Sequence, residues 1–115
     1  MTSLLGIIET NPYLSEAERL MSEEEREAVV DLIADNPEAG SVIRGTGGLR
    51  KLRIPLRGRG KRGGGRVVYW FQSKGNPAVL LTVYAKNETT ALGVRELQRF
   101  AAVAAAIIEH LGARK

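Results

Sequence analysis

Nine cationic side chains crowd into residues 44–66, RGTGGLRKLRIPLRGRGKRGGGR: Arg44, Arg50, Lys51, Arg53, Arg57, Arg59, Lys61, Arg62 and Arg66. No Asp or Glu interrupts them. Like charges at this density repel, so a folded chain gains little by gathering them. An anionic partner gains a great deal, and a phosphate backbone is the commonest partner of that kind. The chemistry on offer is narrow. Arg can only stabilise negative charge, because its guanidinium keeps its proton in proteins. A lysine crowded by cations holds its proton less tightly. Lys51, between Arg50 and Arg53, and Lys61, beside Arg62, are therefore candidates to accept or donate one. The single histidine, His110, falls late in the last helical pattern, where it suits the negative end of the helix dipole. There is no Cys, so disulfides and thiolate metal sites are excluded, and one His cannot make a histidine cluster. We expect no metal and no cofactor. The triple glycine at 63–65 lacks the Gly-Lys-Ser/Thr pattern that opens a helix in phosphate-cradling loops, and it precedes a strand instead.

The net charge of +4 conceals a division along the chain. Residues 1–43 carry ten acidic side chains against Arg19 and Arg26. The block above follows, and residues 67–115 add six basic against three acidic side chains. A polyanion-binding surface confined to one block says more than the overall charge does. The length of 115 residues suits one domain, 1–115, with a modest core of its own. No apolar run approaches the roughly 20 residues that span a bilayer, and the N-terminus makes a poor signal peptide. We expect a soluble, cytoplasmic protein with no membrane partner.

The elements that must hold the block can be read from the pattern. LLGIIET, residues 4–10, reads as a short first strand. Thr10 or Asn11 then caps a short helix with Pro12 in its first turn. Ser22 opens a second helix with capping-box spacing to Glu25, buries Val29, Leu32 and Ile33, and stops at Asn36-Pro37. Residues 41–48, rich in glycine, read as loop. Residues 49–54 alternate as a strand, with Leu52, Ile54 and Arg50 on one face and Leu49, Lys51 and Arg53 on the other. RVVYWFQ, residues 66–72, suits a central strand covered on both faces. Residues 78–84 form its antiparallel neighbour. Residues 93–111 form a long helix, with a seam of Val94, Leu97, Ala101, Ala104, Ile108 and Leu111. The expected fold is α+β: a small twisted antiparallel sheet, two N-terminal helices and a long C-terminal helix, the helices packed against one face.

Two stretches carry a resemblance. GTGGLRKLRIPLRGRGKRGGGRVVYWF (residues 45–71) and LLTVYAKNE (residues 80–88) look like conserved-pattern segments of the RelE/ParE superfamily of bacterial toxins, with the HigB-type branch of RelE-like toxins nearest. The NP-x-x-G of residues 36–40 fits as well. The resemblance implies the toxin of a type II toxin–antitoxin system. Such toxins enter the 30S ribosomal A site, cut mRNA there as endoribonucleases (mRNA interferases) and inhibit translation. It also implies a cognate antitoxin, usually of helix-turn-helix type in this branch.

Cleavage by that route drives a ribose 2′-OH onto the neighbouring phosphate. It needs a proton acceptor, charge stabilisation on the phosphate oxygens and a proton for the 5′-oxygen. By resemblance, Arg66 matches the position that contacts the scissile phosphate, and Lys51 and Arg53 match the paired basic residues of the preceding strand. In the RelE pattern an arginine with a catalytic role stands where this chain has Asn87, and no Tyr follows Glu88 to match the pattern's C-terminal tyrosine. Lys86 is the candidate substitute. The catalytic set is then Lys51, Arg53, Arg66 and Lys86, with Arg50, Arg57, Arg59, Lys61, Arg62 and Asn87 binding mRNA or ribosomal RNA. Tyr69, Trp70 and Tyr84 read as core, with base stacking as the other use of the tyrosines. Two other functions fit the same pattern. One is a ParE-like inhibitor of DNA gyrase, and the other is a nucleic-acid-binding domain without catalysis.

Overall fold

The computed structural model describes residues 6–56, 64–73, 75–88 and 92–112. Its elements run β1 (Ile7–Glu9), α1 (Asn11–Leu20), α2 (Glu23–Asp35), β2 (Ser41–Val42), β3 (Leu49–Ile54), β4 (Gly65–Trp70), β5 (Ala78–Ala85) and α3 (Val94–Gly112). The helix starts follow from local chemistry. The Thr10 hydroxyl accepts from the Tyr13 amide, with Pro12 in the first turn of α1. At α2 the capping box is complete: the Glu25 amide donates to Ser22 Oγ at 3.1 Å and the Ser22 amide donates to Glu25 Oε1 at 2.8 Å. A cap of this kind is worth about 1 kcal/mol.

The strands form one mixed sheet in the order β1-β5-β4-β3-β2. β2, β3, β4 and β5 pair antiparallel, but β1 lies parallel to β5. The parallel pairing corrects the purely antiparallel expectation. It is held where β1 gives way to α1: the Thr10 amide and hydroxyl both donate to the Leu80 carbonyl, at 3.2 and 2.8 Å. β2 falls inside the stretch expected to be loop, and its two residues pair with Lys51 and Arg50. A two-residue strand is too short to show alternation. The turn after it needs glycine at one close approach. At Gly48, φ is +128° and an added Cβ would stand 2.5 Å from Trp70 Nε1. Trp70 Nε1 donates to the Gly47 carbonyl at 3.0 Å. Between Val68 and Tyr69 of β4 the register with β5 shifts by a bulge, which leaves Leu81 unmatched.

The sheet is covered on both faces, not on one. Tyr13, Ala17 and Leu20 of α1 and Val29 and Ile33 of α2 pack with Ile54, Val67, Tyr69, Leu80 and Val83. On the other face Leu49, Val68, Trp70, Val79, Leu81 and Tyr84 pack with Ala104, Leu97, Phe100, Ala101, Ile107 and Ile108 of α3. The physical reason is the composition of β5, buried at every one of its eight positions. A strand apolar on both sides needs a cover on each. The α3 seam is centred differently from its sequence reading: Phe100 and Ile107 join it, while Val94 at one end is 71% exposed.

Candidate nucleic-acid interface

The register of β3, β4 and β5 brings the block's strand residues together. Arg53 stands opposite Arg66, and Arg66 stands opposite Tyr84. One step along, Lys51 stands opposite Val68. Residues directly opposite in antiparallel strands share a face, with Cβ atoms about 5 Å apart. Alternate residues on one strand lie about 7 Å apart. Lys51, Arg53 and Arg66 thus form a triangle of cations on the α3 face of the sheet, the face of Leu49, Val68 and Tyr84. Lys51 and Arg53 are exposed and Arg66 is half-buried. Unit charges about 7 Å apart repel by roughly 0.6 kcal/mol in water and more near a protein surface. A phosphate placed between them reverses that sign.

The backbone fixes the triangle. Gly64, with φ +45°, sits where a Cβ would be 2.5 Å from the Ile54 carbonyl, so only glycine lets the ends of β3 and β4 close up. Arg66 Nη1 donates to the Gly65 carbonyl at 3.0 Å, which turns the guanidinium toward that end of the strand. The Lys86 amide donates to the Gly64 carbonyl at 3.0 Å. Lys86, half-buried, therefore leaves β5 beside the start of β4 and next to Arg66.

Arg50 is different. It lies on the opposite face of β3, and its guanidinium is engaged there. Nη1 donates to the carbonyls of Gly40 at 3.0 Å and Glu38 at 3.4 Å, and Nε donates to the Phe71 carbonyl at 3.4 Å. Those bonds tie the 38–40 turn to the sheet. Tyr69 secures the same turn: its hydroxyl donates to the Pro37 carbonyl at 2.7 Å and accepts from the Gly40 amide at 2.9 Å. Tyr69 is fully buried and Trp70 is 6% exposed, which puts both in the core. The expected RNA contacts Arg57, Arg59, Lys61 and Arg62 lie outside the described residues. The described chain leaves and returns at Leu56 and Gly64, the end of the strands nearest Arg53 and Arg66.

The turn after β5 presents Asn87 to solvent. Glu88 is bound back to α1: Arg19 Nη2 reaches Glu88 Oε1 at 3.0 Å and Glu16 Oε1 at 2.9 Å. Glu88 thus organises the loop that carries Lys86 and Asn87. His110 is exposed in the last turn of α3, away from the cationic triangle in sequence and in element.

Tyr84 is the site neighbour that sequence reasoning placed only as core or base stacker. Burial raises its phenol above the ordinary tyrosine range, and the Arg66 charge draws it part of the way back. The pairing with Arg66 depends on the bulge, and no local pattern announces a bulge.

The model of a family described as the RelE toxin of the RelE/RelB toxin–antitoxin system matches residues 16–113. Among solved structures, the E. coli toxin RelE, as a double arginine-to-alanine mutant in the free state, is similar with a TM-score of 0.56. The match covers 87% of this chain and 96% of that chain at 17% identity, a likeness of fold.

Proposed function

The chain belongs to the RelE toxin family, and from that premise we propose that it is a ribosome-dependent endoribonuclease that cuts mRNA in the A site and so inhibits translation. Membership in that family implies a cognate antitoxin. A helix-turn-helix type for that antitoxin, action in the cytoplasm and a HigB-like place within the family belong to the proposal, the last on the GGLRK and YAKNE segments. No helix among the described residues is long and apolar enough to cross a membrane.

The observation that carries the reading is the triangle of Lys51, Arg53 and Arg66 on one face of a rigid sheet. A scissile phosphate seated there meets fixed positive charge where negative charge grows during attack by the 2′-oxygen. Charge fixed in advance costs no reorganisation at the moment of reaction. Arg66, held against Gly65, stabilises the phosphorus oxygens. Arg53 positions the phosphate. Lys51 or Lys86 takes the proton of the 2′-hydroxyl, since an amine can give up its proton and a guanidinium does not. Asn87 and the 57–63 connection, with Arg57, Arg59, Lys61 and Arg62, add contacts to RNA backbone. Arg50 supports the strand from behind.

Mapping of mRNA 5′ ends after induction, in cells and in a translation extract with and without ribosomes, tests the proposal. New 5′ ends should appear only with ribosomes. Arg66→Ala should reduce their rate of formation by roughly 10²–10³-fold. Intact messages beside DNA damage would instead favour gyrase inhibition. Toxicity that survives neutralisation of Lys51, Arg53 and Arg66 would end the proposal.

A further inference from the structure

The site as described supplies cations for the phosphate and an amine for the 2′-hydroxyl, but nothing yet assigned protonates the 5′-oxygen as it leaves. Tyr84 stands directly across the strand pair from Arg66. Its ring packs in the cluster under α3, and the residue is 7% exposed. Two side-chain polar atoms among the described residues are buried without a hydrogen-bond partner, the Tyr13 hydroxyl and Arg26 Nε. The Tyr84 hydroxyl is not one of them, and the residue keeps a small exposed surface and feels the Arg66 charge. Tyr13 and Tyr69 pack on the other face of the sheet. Tyr84 is thus the phenol that the fold delivers to the cationic face.

We propose that Tyr84 is a catalytic residue, the proton donor to the 5′-oxygen. The inference rests on the nuclease reading above and deepens it. In the step, the 2′-oxygen forms a bond to phosphorus and the bond from phosphorus to the 5′-oxygen breaks. The Tyr84 hydroxyl gives its proton to that oxygen. The products are a 2′,3′-cyclic phosphate and a 5′-hydroxyl. The phenolate left behind faces the Arg66 guanidinium, which stabilises it until solvent returns the proton. A phenol packed under a helix holds its proton at neutral pH, as a donor must.

The test uses ribosome-bound mRNA with either oxygen or sulfur at the bridging 5′ position of the cut site. A thiolate leaves without protonation, so a donor matters only for the oxygen substrate. Tyr84→Phe keeps the ring and removes the proton. It should cut the oxygen substrate roughly 10²-fold more slowly than the wild type and the sulfur substrate within about threefold of it. Circular dichroism melts confirm that the variant is folded. In a second arm, fluorinated tyrosine at position 84 keeps volume and hydroxyl while acidifying the phenol, and it should move the alkaline fall of the cleavage rate to lower pH. A folded Tyr84→Phe that is equally slow on both substrates, or unimpaired on oxygen, overturns the assignment. A wild type that cuts neither substrate overturns the nuclease reading and this assignment with it.

Discussion

Removing one hydroxyl from each of two buried tyrosines should change stability in opposite directions. Tyr13 and Tyr69 are both fully buried, in the same core cluster under α1 and α2. The Tyr69 hydroxyl makes two bonds, to the Pro37 carbonyl and from the Gly40 amide, at 2.7 and 2.9 Å. Tyr69→Phe strands both partners, and each stranded group costs about 1–2 kcal/mol where it is buried or partly so. The expected loss is therefore about 2–4 kcal/mol. With a urea slope of about 1.5 kcal/mol per molar for a chain this size, the midpoint falls by roughly 2 M. The Tyr13 hydroxyl has no partner. Tyr13→Phe removes an unsatisfied polar atom and should be neutral or stabilising by up to about 1 kcal/mol. Urea titration followed by circular dichroism measures both. Both residues face away from the cationic triangle, so per folded molecule neither variant should change cleavage by more than about twofold. The reasoning fails if the two substitutions shift the midpoint in the same direction, or if Tyr69→Phe moves it by less than about 0.3 M.

Alkaline pH gives a related test. Burial, with help from Glu9 and against Arg26, pushes the Tyr13 phenol up to about 12, from an unfolded value near 10. A raised folded value means that the contribution is complete below about pH 10 and is lost as pH climbs toward about 12. The stability advantage of Tyr13→Phe over wild type should widen across that window, by on the order of 2 kcal/mol. Gly48→Ala forces a side chain into a backbone of φ +128° and against the indole. It should cost about 2–4 kcal/mol and shift the fluorescence of Trp70, the single tryptophan. Glu88→Gln weakens the tie to Arg19 at the surface. It should leave the urea midpoint nearly unchanged while raising amide exchange at Lys86 and Asn87, as hydrogen-exchange NMR would show. Lys51→Ala and Arg53→Ala combined should lower cleavage and flatten its salt dependence by a slope of about 1.4, two phosphate contacts on single-stranded RNA.

What the sequence discloses here is local. Thr10, Ser22 and Glu25 announce helix starts because a cap is a contact between residues three apart. The alternation of residues 49–54 placed Lys51 and Arg53 on one face and Arg50 on the other, and the burial of β3 follows it. That same alternation puts Arg50 on the core side, and there its guanidinium bonds the carbonyls of Gly40, Glu38 and Phe71. The parallel β1, the two-residue β2 and the pairing of Arg66 with Tyr84 were not legible. Each depends on partners far along the chain, and for residues 7–9, 41–42 and 81 no neighbour in sequence carries the signal. The two-sided cover was half legible: residues 66–72 already looked apolar on both faces, and a second layer follows from that.

Leu81 gives β5 two reading frames. Before it, odd-numbered side chains, Val79 and Leu81, look toward α3; after it, even-numbered Tyr84 does, while Val83 turns to the helix pair. Were Leu81 paired in regular register, without the bulge, Arg66 would face Val83 and the phenol would turn into the oily layer beneath α1. That one unmatched residue is what sends chemistry, and not grease, to the cationic side of the strand.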